Sequence, residues 1–298
     1  MTRPRLAVTL GDPRGIGPEI VAAAIGDSRV RARADLVIVG PSGTRVPVDE
    51  EIGQWSAGGS AEHGGRLAGL AIERAVALAL AGGVQGIVTA PIDKHALFSG
   101  GYDFPGHTEM LASLTASHVA MMLASDRLRV VLVTTHIALR DVAHELTHDR
   151  IVECAEITRR GLRQLYGIAE PRIALCALNP HGGDGGRFGA EDDTLLAPAA
   201  RAANIAGPFP ADTVFVRAMR GAFDAVLAPY HDVGMTAIKV ASFGSAVNVT
   251  MGLPFPRTSP DHGTALDIAG QNRADPASMI EAILECARFS EAPVTARK

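Results

Sequence analysis

Cysteine is scarce in this chain. Cys154, Cys176 and Cys286 are the three in 298 residues, an odd and widely spaced set with no CxxC pair. This excludes a disulfide framework and fits a reducing, cytoplasmic setting. Aromatic residues are also few, at 4%. Excess charge of either sign is missing: 28 Lys and Arg face 32 Asp and Glu, a formal net charge of -4. Such a balance leaves no basic footprint for nucleic acid and no polybasic segment for anionic lipid. No stretch reaches the roughly 18 consecutive apolar residues of a membrane span. The early apolar run Leu6–Leu10 is cut by Gly11-Asp12, too soon for a signal-peptide core. Small molecules are the expected partners, with neither nucleic acid nor membrane.

What is present points to an α/β enzyme. Hydrophobic residues make up 47% of the chain, enough for a sizeable core, and 32 glycines suit loops where backbone approaches a ligand. Short apolar runs alternate with longer amphipathic ones. Strands are expected at 6–10, 36–39, 87–89, 129–133, 173–178 and 225–228. Helices are expected from Glu19 to Ile25, Leu67 to Leu80, Ile151 to Leu165, Thr194 to Ala203 and Pro276 to Arg288. Residues 41–66, rich in Gly, Ser and Pro, read as mostly loop. The alternation predicts mostly parallel sheets with helices on their faces.

Three of the apolar strands deliver a histidine at the carboxyl end. The run 130–135 ends at His136, 173–178 leads through Asn179-Pro180 to His181, and 225–230 leads to His231, with Asp232 next. Ligands of open α/β sheets bind outside those ends. One such histidine is ordinarily a hydrogen-bonded loop residue. Three in the same structural position point to a shared site, and neutral imidazoles are good ligands for a divalent metal. There is no HExxH, so spacing alone does not establish the metal.

Other candidates are anion-binding. Gly106-His107-Thr108 precedes an apolar helical stretch from Met110, offering amides, an imidazole and a hydroxyl, although Thr108 as a plain N-cap explains the same pattern. Lys239 and Asn248 flank a turn around Phe243-Gly244, and Arg257 follows Gly-Leu-Pro-Phe-Pro at 252–256. Arginine makes bidentate contacts to phosphate and carboxylate. The glycine-rich stretch 11–19 sits between a strand and a helix but has Ile20 where GxGxxG needs its third glycine, and it has no P-loop Lys-Ser/Thr. It reads as a tight βα turn. The five glycines between 182 and 189 read as a mobile loop or a flexible connection.

Several motifs in this order carry a family resemblance over nearly the whole chain. They are Gly-Asp-Pro-Arg-Gly-Ile-Gly-Pro-Glu at 11–19, Pro-Gly-His-Thr-Glu at 105–109, Thr-Thr-His at 134–136 and Leu-Asn-Pro-His at 178–181. Gly-Pro-Phe-Pro-Ala-Asp-Thr at 207–213, Tyr-His-Asp at 230–232, Val-Asn-Val-Thr-Met-Gly-Leu-Pro-Phe-Pro-Arg-Thr-Ser at 247–259 and Asp-His-Gly-Thr-Ala-Leu-Asp-Ile-Ala-Gly at 261–270 complete the set. The chain resembles the 4-hydroxythreonine-4-phosphate dehydrogenase family of pyridoxal phosphate biosynthesis, with its paralogues.

The resemblance implies a two-domain α/β fold like isocitrate and isopropylmalate dehydrogenases, with the active site in the interdomain cleft. The expected domains are 1–103 with 268–298, and 104–267, the latter carrying the metal and substrate residues. It implies a homodimer whose subunits share a divalent metal (Zn, Mg, Co or Mn) on His136, His181 and His231. Substrate contacts map onto His107, Thr108, Lys239, Asn248 and Arg257. His262, Gly263 and Asp267 are expected near an NAD or NADP nucleotide. The implied reaction oxidises the C3 hydroxyl of 4-phosphooxy-L-threonine and then decarboxylates to 3-amino-2-oxopropyl phosphate, with Asp232 and Lys239 as candidate catalytic groups. Alternatives are a paralogue for D-erythronate or D-threonate 4-phosphate, a dihydrodiol-type dehydrogenase, and a non-catalytic metal- or metabolite-binding protein. The chain departs from the family in three places. Val233 stands where Gln is common, 240–244 differs from Tyr-Gln-Gly-Phe-Gly, and 41–66 is short. These departures bear on the substrate more than on the reaction class.

Overall fold

The computed structural model describes residues 3–242 and 246–291. The chain forms two compact units, Met1–Ser117 with Val247–Lys298, and His118–Ala246. The first unit runs β1 (Arg5–Thr9), α1 (Gly17–Gly26), α2 (Ser28–Arg33), β2 (Asp35–Ser42), β3 (Glu50–Gln54), α3 (Ala61–Leu80), β4 (Gly86–Thr89), α4 (Lys94–Ser99) and α5 (His107–Thr115). The second holds β5 (Ala120–Ala124), β6 (Arg129–Leu132), α6 (Val142–Glu145), α7 (His148–Tyr166), β7 (Ile173–Cys176), α8 (Ala197–Ala202), β8 (Ala206–Phe209), α9 (Ala211–Met219), β9 (Ala225–Ala228) and α10 (His231–Ser242). The chain returns to the first unit for β10 (Val247–Met251), β11 (Arg257–Pro260) and α11 (Ala277–Ser290).

Strand order in the first unit is β3-β2-β1-β4-β11-β10, parallel except for β10, which runs antiparallel to β11. In the second it is β5-β6-β9-β7-β8, parallel except for β5 against β6. Both faces of each sheet are covered, which is why the central strands read as unbroken apolar runs instead of alternating ones. In the first unit Ala7, Val37, Val39 and Ile87 pack under Ala71, Ile72 and Ala75 of α3 and Met110 and Leu111 of α5. On the other face Thr258 Oγ1 donates to Ala282 O of α11 at 2.7 Å. In the second unit Val130, Leu132, Ala174 and Val226 meet Val214 and Phe215 of α9 and Ile238 of α10. Each fully buried Leu, Ile or Val contributes about 1.5–3 kcal/mol.

The mostly parallel α/β architecture is as expected, and two boundaries are corrected. Residues 104–117 and 247–267 belong to the first unit, not the second. The cause is α5, whose Met110 and Leu111 join the core under α3, and the β10–β11 hairpin, which extends that sheet through β4. The substrate candidates His107, Thr108, Asn248 and Arg257 therefore sit in the first unit, while Lys239 and the three histidines sit in the second. The helix expected from Leu67 begins at Ala61, where the Ser60 hydroxyl accepts from His63 N at 3.1 Å. Gly64 and Gly65 made that turn look like loop. At Gly65 a Cβ would stand 1.8 Å from Ala96 O, so glycine there allows α3 and α4 to touch backbone to backbone. Pro198, which weakened the expectation of a helix at 194–203, follows the π-helical turn Asp192–Leu196 that runs directly into α8, and that wider turn accommodates the missing N–H. The turn read at Phe243-Gly244 lies outside the described residues. Among the described residues no helix is long and apolar enough to cross a membrane.

Candidate active site

The strand ends of the first unit build a cradle around Arg257. This side chain is only 1% exposed. It opens β11, beside β4, whose last residue Thr89 accepts from Nη2 at 2.5 Å. Thr250 of β10 accepts from Nη1 at 2.8 Å. Both partners are neutral hydroxyls, and Nε has none. Burial pushes the guanidinium down from its ordinary value to about 10, with Cys286 and Glu109 opposing that shift from a distance. It stays charged at neutral pH, and a buried charge lacking a counter-charge costs several kcal/mol.

His107 opens α5 behind Gly106, an N-cap without a side-chain hydrogen bond. Its Nε2 is buried and unpartnered. Burial first, then the charges of Arg257 and Lys94, hold it well below 6.5, so the ring is neutral. Asn248 Oδ1 is likewise buried without a partner. Asn248 and Thr250 alternate on β10, so both project to the face that meets Arg257. Thr108, half-buried, follows His107. A buried cation, a neutral imidazole, free helix-start amides and an unmet carboxamide oxygen make a receptor for an anionic, hydrogen-bonding ligand. Thr89 and Thr250 were not evident in the sequence, because their role depends on pairing between distant strands. Thr9, paired with Thr89 on β1, adds another buried hydroxyl without a partner.

The glycine-rich turn 11–19 is braced against the 261–272 stretch. Gly11 has φ +69°, and a Cβ there would meet Pro91 O at 2.2 Å. Ile16 N donates to Thr264 O at 2.9 Å, and Asn272 N donates to Glu19 Oε2 at 3.2 Å. Asp12, fully buried, grips Arg14 through bonds of 3.0 and 2.6 Å. A cavity of about 540 Å³ opens here, lined by Arg14, Gly15, Glu19, Arg45, Trp55, Gly270 and Asn272 among others. That is within the usual size of a small-molecule site. Its lining takes the end of the 261–272 stretch. His262, Gly263 and Asp267 lie just before, and His262 Nδ1 is 3.2 Å from Gly263 O. Arg45 and Trp55 come from the segment read as loop.

In the second unit, Val133 N donates to Ala228 O at 2.9 Å and Thr134 Oγ1 to Pro229 O at 2.7 Å, tying the ends of β6 and β9 together. The residues that follow are thereby neighbours: the His136 and His231 rings are 5.5 Å apart, tilted by 44°. His231 is also the first residue of α10, and its Nδ1 pairs with Asp232 Oδ1 at 2.7 Å. A carboxylate on the far nitrogen is the arrangement that orients ligating imidazoles. His181 is held apart, on a turn at φ 54° and ψ 24°, with Nδ1 3.9 Å from Asp212 Oδ2. Buried Asp192 fixes that turn by accepting from Leu178 N and Asn179 N at 2.8 and 2.9 Å. Among the described residues no group of three or more His, Cys, Asp or Glu is arranged to hold a metal ion. The donor chemistry of the His136–His231 pair suits a divalent metal, but two imidazoles alone do not complete a site. Lys239 lies further along α10 and is exposed. Val233 packs against the unit's core, so an apolar residue suits that position.

The family described as the pyridoxal phosphate biosynthetic protein PdxA matches residues 22–286. The chain is 42% identical to the 4-hydroxythreonine-4-phosphate dehydrogenase of Geobacter metallireducens, covering 97% of this chain and 96% of that one. It is 40% identical to the D-threonate 4-phosphate dehydrogenase of Cupriavidus necator, over 96% and 97%. The crystal structure of the 4-hydroxythreonine-4-phosphate dehydrogenase from Klebsiella pneumoniae superposes with a TM-score of 0.86 at 37% identity, over 97% of this chain and all of that one. A β-decarboxylating dehydrogenase of Thermococcus kodakarensis shares the fold alone, with a TM-score of 0.51 at 15% identity.

Proposed function

Because the chain belongs to the PdxA family and is an oxidoreductase of that family, we propose that it oxidises the C3 hydroxyl of 4-phosphooxy-L-threonine with NAD or NADP in the cytoplasm. The observation that carries this reading is the buried guanidinium of Arg257, which meets only neutral hydroxyls and so awaits an anion. Arg257, His107 and Thr108 bind the phosphorylated substrate, and Asn248 accepts from its amino or hydroxyl group. When bound, a nicotinamide cofactor would supply the acceptor for the hydride of C3; the hydroxyl proton goes to a base, for which Lys239 and Asp232 are the candidates. Oxidation makes a β-keto acid. Its C1–C2 bond then breaks, carbon dioxide leaves, and the electron pair drains towards the new ketone and is protonated to give 3-amino-2-oxopropyl phosphate.

His136 and His231 supply two imidazoles for a divalent ion (Zn, Mg, Co or Mn), and His181 supplies the third across a homodimer. When bound, that ion provides Lewis-acid stabilisation of negative charge on oxygen. Asp232 positions His231 through Nδ1. The cavity beside Gly15, Trp55 and Gly270 suits the adenosine half of the cofactor, with His262, Gly263 and Asp267 shaping the loop that leads into it.

A second reading is oxidation of D-threonate or D-erythronate 4-phosphate. It is favoured by relatives named as D-threonate 4-phosphate dehydrogenases at comparable identity. Reduced nicotinamide absorbance, followed with each of the three phosphorylated acids before and after chelation and metal restoration, separates these readings. Turnover of none of them after metal restoration would leave the non-catalytic binder standing.

A further inference from the structure

The anion cradle of the first unit has a charge deficit. A phosphate monoester carries about −1.5 to −2 at neutral pH. Arg257 supplies one positive charge, and His107 is neutral. A carboxylate would be matched by Arg257 alone, whereas a dianion needs a second cation.

Lys94 is placed to provide it. It is the first residue of α4, a helix started by Asp93, whose Oδ1 accepts from Ala96 N at 2.7 Å. A Cβ built on Gly106 would stand 3.6 Å from Lys94 Cε and 3.6 Å from Glu109 Oε2. The carbon bearing the ammonium thus lies beside the uncapped start of α5, next to His107. Asp93, the nearest acid in sequence, is committed to its cap and lies 3.8 Å from Arg14. Buried Arg257, with Nε unpartnered, acts electrostatically on His107, the first residue of that helix, and so brings a second positive charge to bear on the same turn.

We propose that Lys94 is a substrate-binding residue that makes this site selective for a dianionic phosphate over a carboxylate. The inference rests on the phosphorylated-substrate reading above. Arg257 is the buried charge at the base of the cradle, and Lys94 is the exposed one at its rim. Glu109 Oε2 lies against the same turn, so its negative charge offsets part of the positive one and deepens the deficit that Lys94 answers.

The test uses the full-length protein, stripped of metal and nucleotide, and measures binding of inorganic phosphate and of acetate by calorimetry. The variants are Lys94→Met and Lys94→Arg. Lys94 is exposed, so both are expected to fold, and the melting temperature checks this. Lys94→Met is expected to weaken phosphate binding roughly tenfold, as for loss of one charge-assisted contact. Acetate binding is expected to be unchanged, and Lys94→Arg to restore most of the phosphate affinity. In turnover the loss would fall on KM, with kcat nearly unchanged. Equal phosphate affinity in wild type and Lys94→Met would overturn the inference, as would a parallel loss for acetate. Lys94-dependent phosphate binding without oxidation of any phosphorylated hydroxy acid would uphold this site while defeating the proposed reaction.

Discussion

Replacing Arg257 by methionine separates its two roles, because they respond by different amounts. The guanidinium is 1% exposed and bonded only to Thr89 and Thr250. Replacing buried ionic groups with apolar ones of similar volume is often neutral or stabilising by about 1–4 kcal/mol, since the desolvation penalty disappears. Against this stand two charged hydrogen bonds, each worth about 1.5–3 kcal/mol. The two hydroxyls that lose a donor can instead accept from a neighbour or donate elsewhere. The balance predicts a net destabilisation centred near about 2 kcal/mol, two bonds together worth about 3–6 against a relief of about 1–4. Binding should behave otherwise. Removing one member of a buried charge pair costs about 2–5 kcal/mol, so affinity for the phosphorylated substrate should fall by roughly 30-fold or more. Urea denaturation and phosphate calorimetry on the same preparation read both quantities. A loss of more than about 4 kcal/mol of stability, with phosphate affinity intact, would show that Arg257 is a structural residue and refute the argument.

Three further expectations follow from named groups. His107 is held well below 6.5, so the unfolded chain takes up a proton that the native one refuses. Its contribution to stability is complete above 6.5 and declines as pH falls below that value; His107→Gln should therefore flatten the loss of stability between pH 7 and 5 in denaturant titrations. Asp232→Asn, which weakens the hold on His231 Nδ1, should lower metal affinity by about 10–100-fold with little change in melting temperature, as read by competition with a chelating dye. Trp55→Ala should raise the KM for the nicotinamide cofactor while sparing that for the phosphorylated acid, since its ring lines the cavity at Gly15 and Gly270. Equal effects on both would place the nucleotide elsewhere.

Much of this architecture is legible in the chain itself. Parallel strands buried on both faces leave unbroken apolar runs such as Leu6–Leu10, and the end of α7 and the start of α11 are marked by Gly167 and Pro276, whereas the start of α7 at the Thr147 cap lies ahead of the expected Ile151. The failures have local causes. Gly64 and Gly65 look like loop residues because their packing partner, α4, is far along the chain. The β10–β11 hairpin mixes polar and apolar residues around buried Arg257, so neither helical nor strand periodicity marks it, and the domain boundary was misplaced as a result. Of the site, His136 and His231 follow from where two adjacent parallel strands end. His181 follows from the same rule, yet its strand β7 lies on the far side of β9 from β6, and a left-handed turn carries the ring away. Thr89, Thr250 and Lys94 were invisible, because a threonine or lysine acquires meaning here only from the charge placed beside it.

The most direct test of the central claim is a paired assay of NAD(P)H formation with 4-phosphooxy-L-threonine and with 4-hydroxythreonine lacking the phosphate, each with divalent metal restored. The account predicts turnover of the phosphorylated acid, or of D-threonate or D-erythronate 4-phosphate in its place, and little or none of any unphosphorylated counterpart. Equal turnover with and without the phosphate would contradict it, because the buried charge of Arg257 would then serve no anion.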